Sequence, residues 1–132
     1  MKLIIAGSRH IADPSIVDRA FSASGLVLDD VEEVVCGGAL GVDALGEDWA
    51  SRHGIPVRHF YPDWASYGRA AGPKRNEQMA PYADALLAIP APDSRGTRDM
   101  IQRAEKHGLT IYMHEDRRRE PLKEKDRRDA GN

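Results

Sequence analysis

The sequence predicts an α/β protein built on a doubly wound parallel sheet of about five strands, with helices on both faces. Short apolar runs alternate five times with amphipathic stretches, and most connections between them are short. The runs are almost continuously apolar, as strands covered on both faces require. This βαβ order predicts parallel strands joined by right-handed crossovers. The predicted strands are Leu3–Ala6, Val34–Cys36, Pro56–Phe60, Ala85–Ile89 and Thr110–Met113.

Residues that favour helix ends bound the predicted helices. Asp13 followed by Pro14 predicts the start of the first helix, and Gly25 predicts its end. Pro73 predicts the start of the third helix, because proline is favoured at a first helical position, and Pro81 predicts its end. The second and fourth helices carry apolar stripes, which are Val42, Leu45 and Trp49, and Met100, Ile101 and Ala104.

Composition limits the domain count and the classes of partner. We expect one domain over residues 1–114 and a disordered or frayed helical tail over residues 115–132, where seven Lys or Arg and six Asp or Glu leave little apolar surface. The formal net charge of −2 argues against a general attraction to nucleic acid or to an anionic membrane. No apolar run approaches the ~20 residues that cross a bilayer. The single cysteine, Cys36, excludes an internal disulfide and suits a reducing compartment, so we expect a cytoplasmic protein.

Polar and glycine-rich segments follow the first four predicted strands. In open α/β sheets, ligands bind outside the carboxyl ends of the strands, so these segments predict one crevice. The segment after the third strand, residues 61–72, is at the upper length for a structureless loop, and such loops are often functional. The predicted ligand-binding residues are Gly7, Ser8, Arg9, Gly37, Gly38, Gly41, Asp43, Trp64, Arg75, Asn76, Ser94, Gly96 and Thr97.

The residue types in this crevice indicate a phosphate-containing ligand. Glycine allows close backbone approach, and helix openings present unpaired N–H groups, so two glycine-rich turns before helices each suit phosphate. Arg9, Arg75 and either Arg95 or Arg98 offer bidentate contacts to phosphate. Asp43 is suited either to accept hydrogen bonds from ribose hydroxyls or to cap its own helix.

The remaining residue types add an aromatic group and narrow the chemistry. Trp64, together with Tyr61 and Tyr67, is suited to stack on a base or to pack. Neither a Walker A loop nor a G-x-G-x-x-G fingerprint occurs. The histidines are scattered without metal-ligand spacing, so no metal site is predicted. No cofactor is predicted either.

Several motifs in register resemble the YspA-type branch of the SLOG superfamily of Rossmann-like nucleotide-binding proteins, which is related to the LOG phosphoribohydrolases and the DNA-processing SMF proteins. They are Ala6-Gly7-Ser8-Arg9, residues 35–43 (VCGGALGVD), Trp64 with residues 67–73 (YGRAAGP), Arg75-Asn76 with Met79, and Gly96-Thr97 with Asp99-Met100. The resemblance covers about residues 2–113. It implies binding of a nucleotide or nucleotide-derived ligand, such as a nucleoside monophosphate, ADP-ribose or NAD, in a sensor or binding module, and it suggests a homo-oligomer.

The LOG relatives point to an alternative, an N-glycosidase that hydrolyses nucleotides. They pair the arginine of an Arg-Lys-x-x-Met motif with the glutamate of Pro-Gly-Gly-x-Gly-Thr-x-x-Glu. This sequence keeps Arg75 and Met79 but carries Met100 at the glutamate position, and a thioether cannot replace a carboxylate. An enzyme would therefore use Arg75 with Asp43 or Asp99 as the catalytic residues. Binding of single-stranded DNA is a second alternative, against which the near-neutral charge argues.

Overall fold

The computed structural model describes residues 1–92 and 94–115. The predicted tail lies outside the described residues except for Glu115, so the domain boundary stays a prediction. No helix within residues 1–92 and 94–115 is long and apolar enough to cross a membrane.

The sheet has five parallel strands in the order β3-β2-β1-β4-β5. The chain builds outward from β1 to β2 and β3 and then crosses back to place β4 on the other side of β1. The predicted parallel α/β sheet is confirmed. The strands are β1 (Lys2–Gly7), β2 (Glu33–Cys36), β3 (Val57–His59), β4 (Ala85–Ile89) and β5 (Thr110–Met113).

Helices cover both faces of this sheet. They are α1 (Ile16–Ser24), α2 (Val42–Arg52), α3 (Trp64–Tyr67), α4 (Ala71–Tyr82) and α5 (Arg95–Lys106), and 3₁₀ turns lie at Leu28–Asp30 and Gly68–Ala70. Successive residues of a strand point to opposite faces. Accordingly Leu3 and Ile5 of β1 pack in the core under α1 and α2, whereas Ile4 and Ala6 pack in the core under α4 and α5. The sheet is therefore doubly wound, and its strand order reverses between β1 and β4.

Helix α4 is longer at both ends than the prolines predict. It begins at Ala71, two residues before Pro73, and Pro81 lies inside its last turn. The first four N–H groups of a helix have no intrahelical partner, so a proline at the third position is tolerated. Pro81 removes one backbone hydrogen bond close to the end of the helix, and Tyr82 still completes the turn.

Two other local predictions were wrong because short polar side chains act on nearby backbone. The segment 61–72 contains α3, where Asp63 Oδ1 accepts a hydrogen bond from Ser66 N (3.1 Å) and caps the helix. Asp13 does not cap α1, because its Oδ1 accepts from Ser15 N (2.9 Å) and the helix begins only at Ile16. Gly25 ends α1 in the left-handed region, as predicted.

Candidate functional site

The segments that follow β1, β2, β3 and β4 meet around one cavity at the carboxyl edge of the sheet. Its volume is about 640 Å³, a size typical of small-molecule sites. Of the residues predicted to bind a ligand, Gly37 and Gly41 alone do not line it. Its lining consists of Ala6, Gly7, Ser8, Arg9, His10, Gly38, Ala39, Leu40, Asp43, Pro62, Trp64, Arg69, Gly72, Pro73, Arg75, Asn76, Met79, Ser94, Arg95, Gly96, Thr97, Asp99 and Met100.

Gly41 does not line the cavity; instead, it lets the loops after β1 and β2 come into contact. Its φ is +70°, and a Cβ there would lie 2.3 Å from the carbonyl oxygen of Ser8. The neighbouring Val42 N–H donates to that same oxygen at 3.0 Å. Ser8 is buried, and its Oγ accepts from His10 N (3.1 Å). The structure therefore gives Gly41 a role in joining the loops after β1 and β2.

Arg75 is the half-buried cation of the cavity, and the protein already holds it from two sides. Its Nη1 donates to the carbonyl oxygen of Gly37, and its Nε donates to Asn76 Oδ1 at 2.9 Å. Burial lowers the pKa of the guanidinium, and the charges of Asp43 and Asp99 oppose that shift. Among the described residues, no group accepts a hydrogen bond from Nη2.

Asp43 is a buried carboxylate (5 % exposed) in the first turn of α2. Its Oδ2 accepts from Ala39 N at 3.4 Å. Burial raises the pKa of Asp43, while Arg75 and the backbone N–H groups of Ala39, Gly37 and Gly7 lower it. The carboxylate thus binds the turn that precedes its own helix. It does not cap α2, whose N-cap residue is Gly41 and which has no side-chain capping bond, so the predicted capping role was wrong; the ribose-binding role stays a prediction.

The first turn of α5 differs, because it opens on the cavity without a cap. The Ser94 side chain makes no capping bond; instead its Oγ accepts from Ala91 N (2.9 Å). The first turn carries no acidic residue. Apart from the two chain neighbours of Gly96 and the backbone of α5 itself, no atom of a described residue lies within 4 Å of where a Cβ on Gly96 would sit. Within residues 1–92 and 94–115, nothing accepts a hydrogen bond from the N–H groups of Arg95 and Gly96. Free N–H groups and a helix dipole make such a turn suited to an anion.

Positive charge collects around the cavity although the whole chain is slightly acidic. Arg9, Arg69 and Arg95 line it and are exposed, and none of the three forms an ion pair with a described residue. Sequence reasoning offered Arg95, as an alternative to Arg98, for a phosphate contact, and it did not include Arg69 among the predicted ligand-binding residues. Their signal was proximity to Trp64 and to Gly96 in the sequence. Arg98 does not line the cavity, and its Nη1 donates to Pro92 O (3.1 Å).

The three predicted aromatic residues separate in the structure. Trp64 is 60 % exposed and lines the cavity. Tyr61 instead stacks on His59 with ring centroids 5.1 Å apart, and Tyr67 lies under Lys74 Nζ at 4.7 Å from its ring centroid. Neither tyrosine lines the cavity. Trp64 is therefore the aromatic side chain available to a ligand inside it.

The two residues that decide the enzymatic alternative lie side by side on α5. Met100 is buried and lines the cavity, so an uncharged thioether occupies the position of the LOG glutamate. Asp99 also lines the cavity, but its Oδ2 already accepts from Asn76 Nδ2 (2.9 Å) and from Arg103 Nε (2.9 Å). Among the described residues, no group of three His, Cys, Asp or Glu side chains is arranged to hold a metal ion.

Comparisons with known proteins agree with the resemblance. A model of the YAcAr family (YspA, cpYpsA-related SLOG family) matches residues 1–67. The chain is also 34 % identical over 129 residues to "Gene 61 protein" of Mycobacterium phage D29, a match that covers 88 % of this chain and 98 % of that protein. No solved structure matches the chain significantly. The family match ends at the last residue of α3, so it does not include Arg75 or α5.

Proposed function

The chain belongs to the YspA, cpYpsA-related SLOG family, and from that premise we propose that it binds a nucleotide or nucleotide-derived ligand in the cavity at the carboxyl edge of the sheet. Membership of this family suggests a nucleotide-related role, either binding or processing. The observation that carries the proposal is that the uncapped first turn of α5 and the half-buried Arg75 line the same cavity. The two features supply backbone N–H donors and a cation to one anionic group.

The charges of the cavity orient the ligand. A phosphate would lie at the first turn of α5, where Arg95 adds a second cation and no carboxylate is present in that turn. The α2 end holds the carboxylate of Asp43, which repels phosphate and leaves that side to the sugar. Trp64 then offers a face to the base. Nucleoside monophosphates, ADP-ribose and NAD all carry this phosphate, ribose and base arrangement.

The hydrogen bonds of the acidic residues in the cavity favour binding without hydrolysis over catalysis. Cleavage of an N-glycosidic bond passes through an oxocarbenium-like state that a nearby carboxylate stabilises. Asp99 is the acid on the α5 side, and its Oδ2 already accepts two internal hydrogen bonds. Hydrolysis by Arg75 with Asp99 or Asp43 stays the alternative. We place the protein in the class of sensors and binding modules, and its homo-oligomeric state and cytoplasmic location remain predictions.

Single-stranded DNA is a weaker candidate, favoured by the three exposed arginines around the cavity. Proteins that bind single strands stack successive bases on several aromatic side chains. In the described part of this chain, Trp64 lines the cavity, whereas Tyr61 and Tyr67 contact other side chains. The cavity therefore suits one nucleotide unit better than a strand.

One experiment separates these functions. The protein is incubated with AMP, ADP-ribose, NAD and adenosine, while thermal shifts are recorded and released base is measured by chromatography. Stabilisation by phosphate-bearing ligands without released base supports the proposal. Base release that Arg75→Ala abolishes supports the hydrolase. Salt-sensitive retention of single-stranded DNA without either effect supports the third candidate. If none of these outcomes is observed, all three functions are refuted.

A further inference from the structure

Asn76 uses both ends of its side-chain amide inside the protein. It is 5 % exposed although it lines the cavity. Its Oδ1 accepts from Arg75 Nε at 2.9 Å, and its Nδ2 donates to Asp99 Oδ2 at 2.9 Å and to Gly96 O at 3.4 Å. An amide nitrogen has two N–H donors, and in Asn76 both of them donate to protein groups. Asn76 therefore has no side-chain N–H left to offer a ligand.

These contacts join the two halves of the anion site. Arg75 and Asn76 belong to α4, whereas Gly96 and Asp99 belong to the first half of α5. Arg103 Nε donates to Asp99 Oδ2 at 2.9 Å from the other side, and Arg103 Nη1 returns to Glu77 Oε1 of α4 at 3.0 Å. A continuous polar chain thus runs from the guanidinium of Arg75 to the turn that carries the open N–H groups.

We propose that Asn76 is a positioning residue that holds Arg75 and the first turn of α5 as one phosphate-binding unit, an inference that rests on the proposed function. It acts through these two elements and not by contact with the ligand.

The chemistry of position 76 explains why an amide is present. The site needs an acceptor toward the Nε of Arg75 and a donor toward the carboxylate of Asp99, and an amide provides both at one Cγ. An aspartate at position 76 would place two carboxylates at hydrogen-bond distance, and leucine would leave Arg75 Nε and Asp99 Oδ2 each without this partner.

The inference is tested by the affinities of AMP and adenosine, measured by calorimetry on the full chain, because their ratio isolates the phosphate. In Asn76→Leu and Asn76→Asp we expect the AMP-to-adenosine affinity ratio to fall at least tenfold while adenosine affinity stays within twofold. Gln78→Leu serves as the matched control, because Gln78 is an exposed amide of the same helix that does not line the cavity, and we expect less than a threefold change. The double variant Asn76→Asp with Asp99→Asn reverses donor and acceptor between the two positions and keeps their net charge. It should restore only part of the ratio, because the new amide N–H faces Arg103 Nε and the new carboxylate faces Gly96 O.

A second measurement needs no ligand. The Nε–H of Arg75 should give a slowly exchanging ¹⁵N NMR signal in the wild type and in the double variant, and Asn76→Leu should lose it. If Asn76→Leu fails to fold, the comparison of Asn76→Asp with the double variant carries the test. An unchanged affinity ratio in the single variants, or an equal loss for AMP and adenosine, overturns the inference. If the wild type binds AMP no better than adenosine, the proposed function fails, and the Arg75 signal still reports whether Asn76 positions the arginine.

Discussion

Two turns that contain glycine lie at the starts of helices in this protein, and the structure shows that they differ in what surrounds the glycines. We call residues 37–43 the α2 turn and residues 94–97 the α5 turn. In the α2 turn, the protein's own groups occupy the space: a Cβ on Gly37 would lie 2.4 Å from Arg75 Nη1 and 3.0 Å from Asp43 Oδ2. In the α5 turn, Gly96 has open space and exposed backbone. Glycine therefore permits close packing in the α2 turn, whereas in the α5 turn it leaves open space, where we propose that an anion binds.

The two turns also differ in charge, and this difference again favours an external anion at the α5 turn. Both helices begin with partial positive charge, but Asp43 stands at the second position of α2, whereas Gly96 stands at the second position of α5. A carboxylate in the first turn of a helix satisfies the dipole from within the protein. The α5 turn lacks one and so retains its attraction for an external anion. On this account the α2 turn is the scaffold that holds Arg75, and the α5 turn binds phosphate.

Arg75→Ala should have the largest effect, because Arg75 connects the two turns. A hydrogen bond to a charged group contributes about 1.5–3 kcal/mol, so we expect AMP affinity to fall on the order of a hundredfold. The free energy of unfolding should fall by about 1–3 kcal/mol, because buried acceptors lose their donor. Calorimetry and urea denaturation measure the two quantities. Arg98→Ala removes an arginine outside the cavity and is the control; equal AMP affinities in both variants would contradict the account.

Gly96→Asp should have the next largest effect, because it gives α5 the carboxylate that α2 already has. The variant should bind AMP about tenfold more weakly, a change of ~1.4 kcal/mol. Thermal unfolding should show a stability gain of about 0.3–1 kcal/mol from the helix dipole. Gly96→Asn has nearly the same shape without the charge, and its AMP affinity should stay near that of the wild type. A loss of the same size in Gly96→Asn would mean that shape, and not charge, is responsible.

Gly37→Ala should have a smaller effect on binding. The backbone of Gly37 is not in the left-handed region, so alanine is tolerated there, but the new methyl group displaces the guanidinium of Arg75. We expect AMP affinity to fall about fivefold, less than for Arg75→Ala, because the charge stays in the cavity. Gly72→Ala is the matched control, since its Cβ would meet only Trp64 at 3.8 Å. If Gly37→Ala binds AMP as the wild type does, the α2 turn does not hold Arg75 in the binding position.

Cys36 should not react with iodoacetamide in the folded protein, although it directly precedes the α2 turn. The residue is fully buried, and burial, followed by the charges of Asp43 and Glu47, raises the pKa of its thiol. A raised pKa leaves the thiol protonated and unreactive at neutral and mildly alkaline pH. Iodoacetamide at pH 8 should leave the folded protein unmodified by mass spectrometry and should label it in 6 M guanidinium. Rapid labelling of the folded protein would show that the α2 turn is open.

The fold and the location of the site follow from local sequence patterns, whereas the difference between the two turns does not. Apolar runs and the polar segments after them predict the sheet and the residues at its carboxyl edge. What closes the α2 turn is Arg75, which lies 38 residues from Gly37 in the chain. Likewise, Asn76 reaches Asp99 across 23 residues. Sequence reasoning found these residues, but it could not assign their partners, because those partners depend on how α4 and α5 pack.

The most direct test uses the backbone amides of Gly38, Gly41 and Gly96, which report on the two turns in one ¹⁵N NMR spectrum. Inorganic phosphate is titrated into the full chain at constant ionic strength, so that no base or sugar contributes. We expect the Gly96 amide to shift most and to saturate, with little change at Gly38 and Gly41. Saturating shifts at Gly38 and Gly41 with a stationary Gly96 amide would place phosphate in the α2 turn and contradict the account.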